Sequence, residues 1–304
     1  MILCCGEALI DMVPDEEGRL VPHSGGAIFN TAIALGRLGA EAGYFSGLST
    51  DLFGAQLEAA LGESNVDTSL TVRSDRPTTL AFVKLTDGHA EYTFYDENTA
   101  GRSLTPEDLP TIPESVNSLY FGGISLISEP AASAFAALCA RESGERVIMI
   151  DPNIRAGFIK DRDGYVARVK EMIAQSDIVK VSDEDLDWLV PGAASHLEKL
   201  AELQATGPSV AVLTRGAQGP VGRLRDGRTV EVKPPVVTVK DTVGAGDTFN
   251  AGFLAKLDQL DAIRKETLRD LSLETLEAAL DFGARVAAVT VTRAGANPPW
   301  ASEL

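Results

Sequence analysis

Histidine, cysteine and positive charge are scarce in this sequence. Its 304 residues hold 3 histidines and 3 cysteines, and 27 lysines and arginines face 44 aspartates and glutamates, a formal net charge of −17 at pH 7. His23, His89 and His196 show no metal-ligand spacing. Cys4, Cys5 and Cys139 are odd in number, include an adjacent pair and form no C-x-x-C, so neither a disulfide framework nor a zinc site is indicated. A field of this negative sign repels nucleic acid and anionic lipid headgroups, and neither is expected as a partner. By the same token, any bound nucleotide must be held by something local. No apolar run approaches the roughly 20 residues of a membrane helix, and Met1 to Glu7 has no basic n-region. A cytoplasmic, reducing location is expected.

Several motifs are missing as well. There is no G-x-x-x-x-G-K-[ST], which excludes a Walker phosphate loop, and no G-x-S-x-G. The lack of G-x-G-x-x-G after the first apolar run weakens a nicotinamide dehydrogenase. Asp281-Phe282-Gly283 spells the protein-kinase D-F-G, but it sits inside a helical pattern and no H-R-D occurs.

What is present describes one α/β domain over residues 1–304. Hydrophobic residues make up 44% and charged ones 23%, an ordinary globular balance. Short apolar runs end in polar or glycine residues and feed helical patterns: Leu3 to Leu9, Val147 to Ile150, Ile178 to Val181 and Val210 to Leu213 read as strands, and Asn30 to Leu38 as a helix stopped at Gly39. That rhythm predicts βα units around a mainly parallel sheet, with ligands at the strands' carboxyl ends. Two segments break it. Residues 12–24 are polar with Pro14 and Pro22, and residues 67–98 include two alternating runs flanking Asp87-Gly88, a hairpin signal. They predict a small inserted β flap, or a plain edge hairpin.

Asp241-Thr242-Val243-Gly244-Ala245-Gly246-Asp247 precedes an apolar helical run. Small residues there let backbone N–H groups converge at a helix N-terminus, where the dipole favours an anion. Asp247 would repel that anion unless it takes a proton from a hydroxyl attacking it, which is the minimum kit for phosphoryl transfer to an alcohol. An ordinary glycine-rich turn with an N-terminal aspartate fits the same letters. Gly25-Gly26-x-x-x-Asn30 places close-approach backbone beside an amide suited to sugar hydroxyls, and Asp11, at the end of the first strand, adds an acceptor. A loop and a helix cap would read alike.

Taken in order, Gly25-Gly26-x-x-x-Asn30, Gly47-x-x-x-Asp51-x-x-Gly54, Asp151-Pro152-Asn153-x-Arg155, Thr214-x-Gly216-x-x-Gly219 and Asp241 to Asp247 resemble the ribokinase-like, or PfkB, carbohydrate kinases over nearly the whole chain. Residues 92–102 and 151–155 look most like the bacterial fructokinases. The resemblance implies a three-layer α/β/α core with a mainly parallel sheet and a β lid, and an ATP- and Mg²⁺-dependent sugar kinase, with 2-keto-3-deoxygluconate kinase as the nearest alternative. A non-catalytic sugar sensor of the same fold is the alternative from another class. It implies Asp247 as general base, with Gly244, Ala245 and Gly246 on the γ-phosphoryl group. Asp11, Gly25, Gly26, Asn30, Tyr92 and Phe94 would hold the sugar, and Arg155 would face the active site. Lys180, Ser182, Thr214, Gly216 and Gly219 would serve the nucleotide. Where many relatives carry Asn-x-x-Glu, this chain reads Ser182-Asp183-Glu184-Asp185, leaving Asp185 as the carboxylate for water-mediated Mg²⁺ contact. By the same resemblance, Asp241, Val243, Thr290 and Gly295 correspond to a monovalent-cation site, K⁺ for example, and the lid to a homodimer contact.

Overall fold

A computed structural model describes residues 1–15, 17–86 and 89–304. A nine-stranded sheet runs in the order Thr229–Glu231, Val221–Leu224, Val210–Thr214, Ile178–Ser182, Val147–Asp151, Ser118–Gly122, Ile2–Cys5, Ala42–Phe45, Val66–Asp67. The pairings are parallel from Val210–Thr214 to Val66–Asp67, and the remaining two strands form an antiparallel edge. The parallel strands are near-continuous apolar runs because both sheet faces are covered. Ile2, Cys4, Tyr44, Tyr120 and Met149 pack with the helices Ala27–Arg37, Ala245–Gln259 and Leu273–Thr290. Their neighbours in sequence, Leu3, Cys5, Phe45, Phe121 and Ile150, pack on the opposite face with Ala131–Glu142, Arg162–Ala174 and His196–Gln204. These are the three expected layers.

The D-F-G letters have a packing role. A Cβ on Gly283 would lie 2.9 Å from the Phe249 carbonyl, and one on Gly252 2.9 Å from Gly283 Cα, so the two glycines let Leu273–Thr290 press on Ala245–Gln259. All three cysteines are buried thiols.

A separate four-stranded sheet has the order Leu20–Gly25, Leu9–Pro14, Leu80–Thr86, His89–Tyr95, two antiparallel pairs joined by a parallel one. The expected Asp87-Gly88 turn lies outside the described residues. The boundaries differ from the expectation at both segments. Leu3 to Leu9 is not one strand: the chain leaves the large sheet after Cys5 and enters the small one at Leu9, carrying Asp11 with it. The break falls at Gly6, where a Cβ would come within 2.4 Å of Ile28. The second segment joins the small sheet only at Leu80; Val66–Asp67 borders the large sheet, with Val66 buried, and Val72–Ser74 pairs with Gly47–Ser49. Among the described residues no helix is long and apolar enough to cross a membrane.

Candidate active site

The parallel strands point their carboxyl ends at a cavity of about 330 Å³, roofed on one side by Tyr92 and Phe94 of the small sheet. Its floor is the start of the helix Ala245–Gln259. Gly244 caps that helix with φ +77°, and a Cβ there would lie 2.6 Å from that of Ala296, so only glycine lets the loop close so tightly. The Ala245 N–H is used in a turn, donating to the Thr242 carbonyl. That leaves the N–H groups of Gly244 and Gly246 to receive an anion, narrowing the expected trio.

Asp247 stands in the first helical turn, buried, with Oδ2 accepting a hydrogen bond from Asn30 Nδ2 at 2.9 Å. Burial pushes its pKa up to about 6; the Asn30 bond, Arg155 and Lys180 oppose that rise and the negative Asp151 adds to it. Thr31 donates to the Asp247 carbonyl at 3.1 Å, locking the two helices together at this point. Asp11 arrives from the small sheet, and its Oδ2 lies 2.2 Å from where a Gly25 Cβ would be, so the first glycine of the pair is bare to admit this carboxylate. Burial, and then the charge of Asp247, raise Asp11 to about 6. Gly26, at φ +110°, would drive a Cβ to 2.7 Å from the Glu7 carbonyl. Asp11, Gly26, Asn30, Tyr92, Phe94, Arg155, Lys180, Val243, Gly244, Ala245, Gly246 and Asp247 all line the one cavity.

Phe94 meets Phe158 edge-on at 4.2 Å between ring centroids, so the small sheet rests on the turn that follows Arg155. Arg155 makes no ion pair among the described residues; Nη1 donates to the Ile154 carbonyl at 3.3 Å. Lys180 is buried and donates to Asp151 Oδ2 at 2.8 Å.

The remaining candidates lie outside this cavity. Ser182 and Thr214 are register partners at the ends of adjacent strands. Ser182 Oγ caps the next helix, accepting from the Asp185 N–H at 3.0 Å, and Thr214 Oγ1 donates to the Val181 carbonyl at 3.5 Å. Gly216 opens a short turn and Gly219 follows it, where a Cβ would strike the Val232 carbonyl. Asp185 Oδ1 accepts from the Ile154 N–H at 3.0 Å, while among the described residues Oδ2 has no protein partner. Asp241 accepts from the N–H groups of Val243 at 3.0 Å and Gly295 at 2.8 Å, and buried Thr290 donates its hydroxyl to the Val286 carbonyl at 3.0 Å. Among the described residues no three His, Cys, Asp or Glu side chains are grouped to hold a metal ion.

Residues 1–303 match the pfkB family carbohydrate kinases. The chain belongs to this family. It is 50% identical over 281 residues to a fructokinase of Rhizobium leguminosarum bv. trifolii, covering 91% of this chain and 85% of that protein. The crystal structure of a Xylella fastidiosa fructokinase with bound ATP superposes with a TM-score of 0.88 at 28% identity, covering 97% of this chain and 93% of that one. A Vibrio cholerae fructokinase in a fructose-, ADP- and calcium-bound form gives 0.84 at 25%, covering 97% and 94%. In this pfkB-family chain the sequence reading missed Glu7 and Asn250. Glu7 lines the cavity, accepts from the N–H groups of Ala27 at 3.0 Å and Ser125 at 3.2 Å, and is pushed by burial up to about 7. A lone acid after Gly6 in an apolar run was its signal, as was a lone amide in the run 249–255 for Asn250.

Proposed function

We propose that this chain phosphorylates fructose with ATP, with Asp247 as general base. The observation that carries the reading is the position of the Asp247 carboxylate: one residue past the free N–H of Gly246, and bonded to Asn30 on the sugar side. The sugar's primary hydroxyl attacks the γ-phosphorus; its oxygen forms the new P–O bond and its proton passes to Asp247. The bond from the γ-phosphorus to the β,γ-bridging oxygen breaks, and its electron pair leaves with ADP. Gly244 and Gly246 receive the oxygens of the transferring group. Asp11, Gly26 and Asn30 hold sugar hydroxyls, Gly25 makes room for the Asp11 carboxylate, and Tyr92 and Phe94 exclude water, which would otherwise compete as acceptor. Ser182, Thr214, Gly216 and Gly219, at the neighbouring strand ends, form the nucleotide side.

Mg²⁺ in such sites rests on substrate phosphates with one or two carboxylates, so an all-protein cage is not needed. Asp185, whose Oδ2 has no protein partner among the described residues, would contact the ion through water. When bound, the ion offsets phosphate charge. For K⁺, the loop tied together by Asp241 offers backbone oxygens near Val243 and Gly295, with Thr290 contributing through its carbonyl; a K⁺-dependent kcat tests this. The edge strands Leu20–Gly25 and His89–Tyr95 leave backbone groups unpaired, which supports a homodimer through the lid, checked by sedimentation. The buried free thiols support a reducing, cytoplasmic setting.

One observation favours a second reading. An Arg155 without an ion pair suits a carboxylated acceptor such as 2-keto-3-deoxygluconate. Against it stand Glu7, Asp11 and Asp247, acids lining the same cavity. A sugar panel at saturating MgATP with coupled ADP detection decides. Fructose turning over fastest supports the proposal. Faster turnover of the ketodeoxy acid replaces it, and no sugar-dependent ADP at all revives a non-catalytic sensor.

A further inference from the structure

Lys180 is 4% exposed, yet it stands in the wall of the cavity. An ammonium has three N–H donors. Asp151 Oδ2 takes one, and among the described residues no protein acceptor takes the other two. A lysine kept only for its ion pair would not leave two donors of a buried charge unmet, and such pairs add little stability over apolar packing. The position is equally telling. A Cβ on Gly246 would lie 3.5 Å from Lys180 Nζ, so the ammonium shares the helix N-terminus with the free N–H groups of Gly244 and Gly246.

The same helix also secures the counter-ion. Asn250, one turn beyond Gly246, is fully buried in the apolar run 249–255, and its Oδ1 has no partner among the described residues. Packing alone would place an aliphatic residue here. What the amide does is donate to Asp151 Oδ2 at 2.7 Å and to the Tyr120 hydroxyl at 2.8 Å. Asp151 Oδ1 in turn accepts from the Asn153 N–H at 3.2 Å. Both carboxylate oxygens are thereby held, and the carboxylate cannot turn toward an incoming phosphate.

We propose that Lys180 is a catalytic cation that takes the charge gathering on the γ-phosphoryl oxygens during transfer, and that Asp151 and Asn250 are the positioning residues that aim it. The inference rests on the kinase reading above. It explains how a chain with a net charge of −17 bears phosphate charge beside Asp247: an ammonium fixed in place acts most strongly as charge develops and needs no reorganisation. It separates Lys180 from residues that merely bind ATP, because its effect falls on kcat rather than on KM for ATP.

The test is chemical rescue. The parent protein is first assayed for fructose-dependent ADP formation; if it fails there, the kinase reading fails, not this one. Lys180→Cys is then expected to lose about 10²-fold or more in kcat with KM for ATP and KM for fructose each within about threefold of the parent. The native cysteines are buried away from the cavity that position 180 lines, so 2-bromoethylamine entering the cavity meets the new thiol and rebuilds an ammonium of nearly the same reach. Recovery of at least about tenfold, with none from iodoacetamide, which adds a neutral amide, supports the proposal. A kcat within threefold of the parent before alkylation, or equal effects of the two reagents, overturns it. If this variant does not accumulate folded, Lys180→Gln keeps a donor to Asp151 and is judged by the same kcat and KM criteria. For the positioning role, Asn250→Leu fills the same space without a donor. A kcat about tenfold lower at unchanged fructose KM, in a protein at least as heat-stable as the parent, supports it. An unchanged kcat, or a loss accounted for by unfolded protein, overturns it.

Discussion

The two ends of the cavity are built from the same chain but carry opposite electrostatics. At the sugar end, Glu7, Asp11 and Asp247 are carboxylates raised by burial, set among Asn30, Tyr92 and Phe94. At the phosphate end, the start of a helix, free N–H groups and Lys180 present partial or full positive charge. Acids suit an acceptor that donates hydroxyl protons, and N–H groups suit a group made of negatively charged oxygens. Asp247 sits where the two meet, so the proton lost by the attacking hydroxyl travels only to the edge of the field that receives the phosphoryl group. Global charge settles neither end; local geometry does.

The largest way to break this contrast is to remove the base. Asp247→Asn keeps an acceptor for Asn30 and is expected to lower kcat by about 10³-fold in a steady-state assay. The same variant should be more stable than the parent above pH 6. A folded-state pKa raised from 3.8 to about 6 means that the ionised carboxylate is disfavoured by folding, so its contribution to stability is present below pH 3.8 and lost as pH rises through about 6. Replacing it recovers up to about 3 kcal/mol at pH 8 and nothing at pH 3.5, read from denaturant melts at the two values. At the phosphate end, Gly246→Ala puts a methyl group 3.5 Å from Lys180 Nζ, where the transferring group must approach. A fall in kcat of about 10²-fold is expected, comparable to losing one oxyanion donor. Phe94→Ala opens the sugar end and should raise KM for fructose about tenfold, or about 1.4 kcal/mol, while ATP affinity stays put. The smallest effect is on the parent itself: kcat/KM should be half-maximal near pH 6, flat above, and should fall toward acid as Asp247 takes up a proton. Asp11 beside it makes this a property of the pair.

Much of the molecule was legible from local rules. The strands Val147–Asp151, Ile178–Ser182 and Val210–Thr214 announced themselves as apolar runs stopped by polar residues, and Gly244 to Asp247 as a helix start with an acid in the wrong place for a bare anion site. What stayed hidden depends on long-range packing. The turn at Gly6 is set by Ile28, a residue of the following helix, and no spacing near Gly6 reveals that clash. Asp67 looked like the start of the flap because alternation cannot say which sheet a strand will join; the burial of its neighbour Val66 against the large sheet decides it. The Asp151–Asn250–Lys180 cluster joins residues from three elements, and only the fold brings the amide under the carboxylate. Ala245 shows the reverse error, a motif residue whose N–H is already used in the turn that the motif makes.

The central claim, that proton acceptance belongs to one end of the cavity and the grip on ATP to the other, is tested most directly by the ATP dissociation constant of Asp247→Asn, measured by calorimetric titration beside its kcat. The account predicts ATP bound at least as tightly as by the parent, since a negative charge beside the phosphates is gone, while turnover falls about 10³-fold. ATP binding weakened in step with kcat would contradict it.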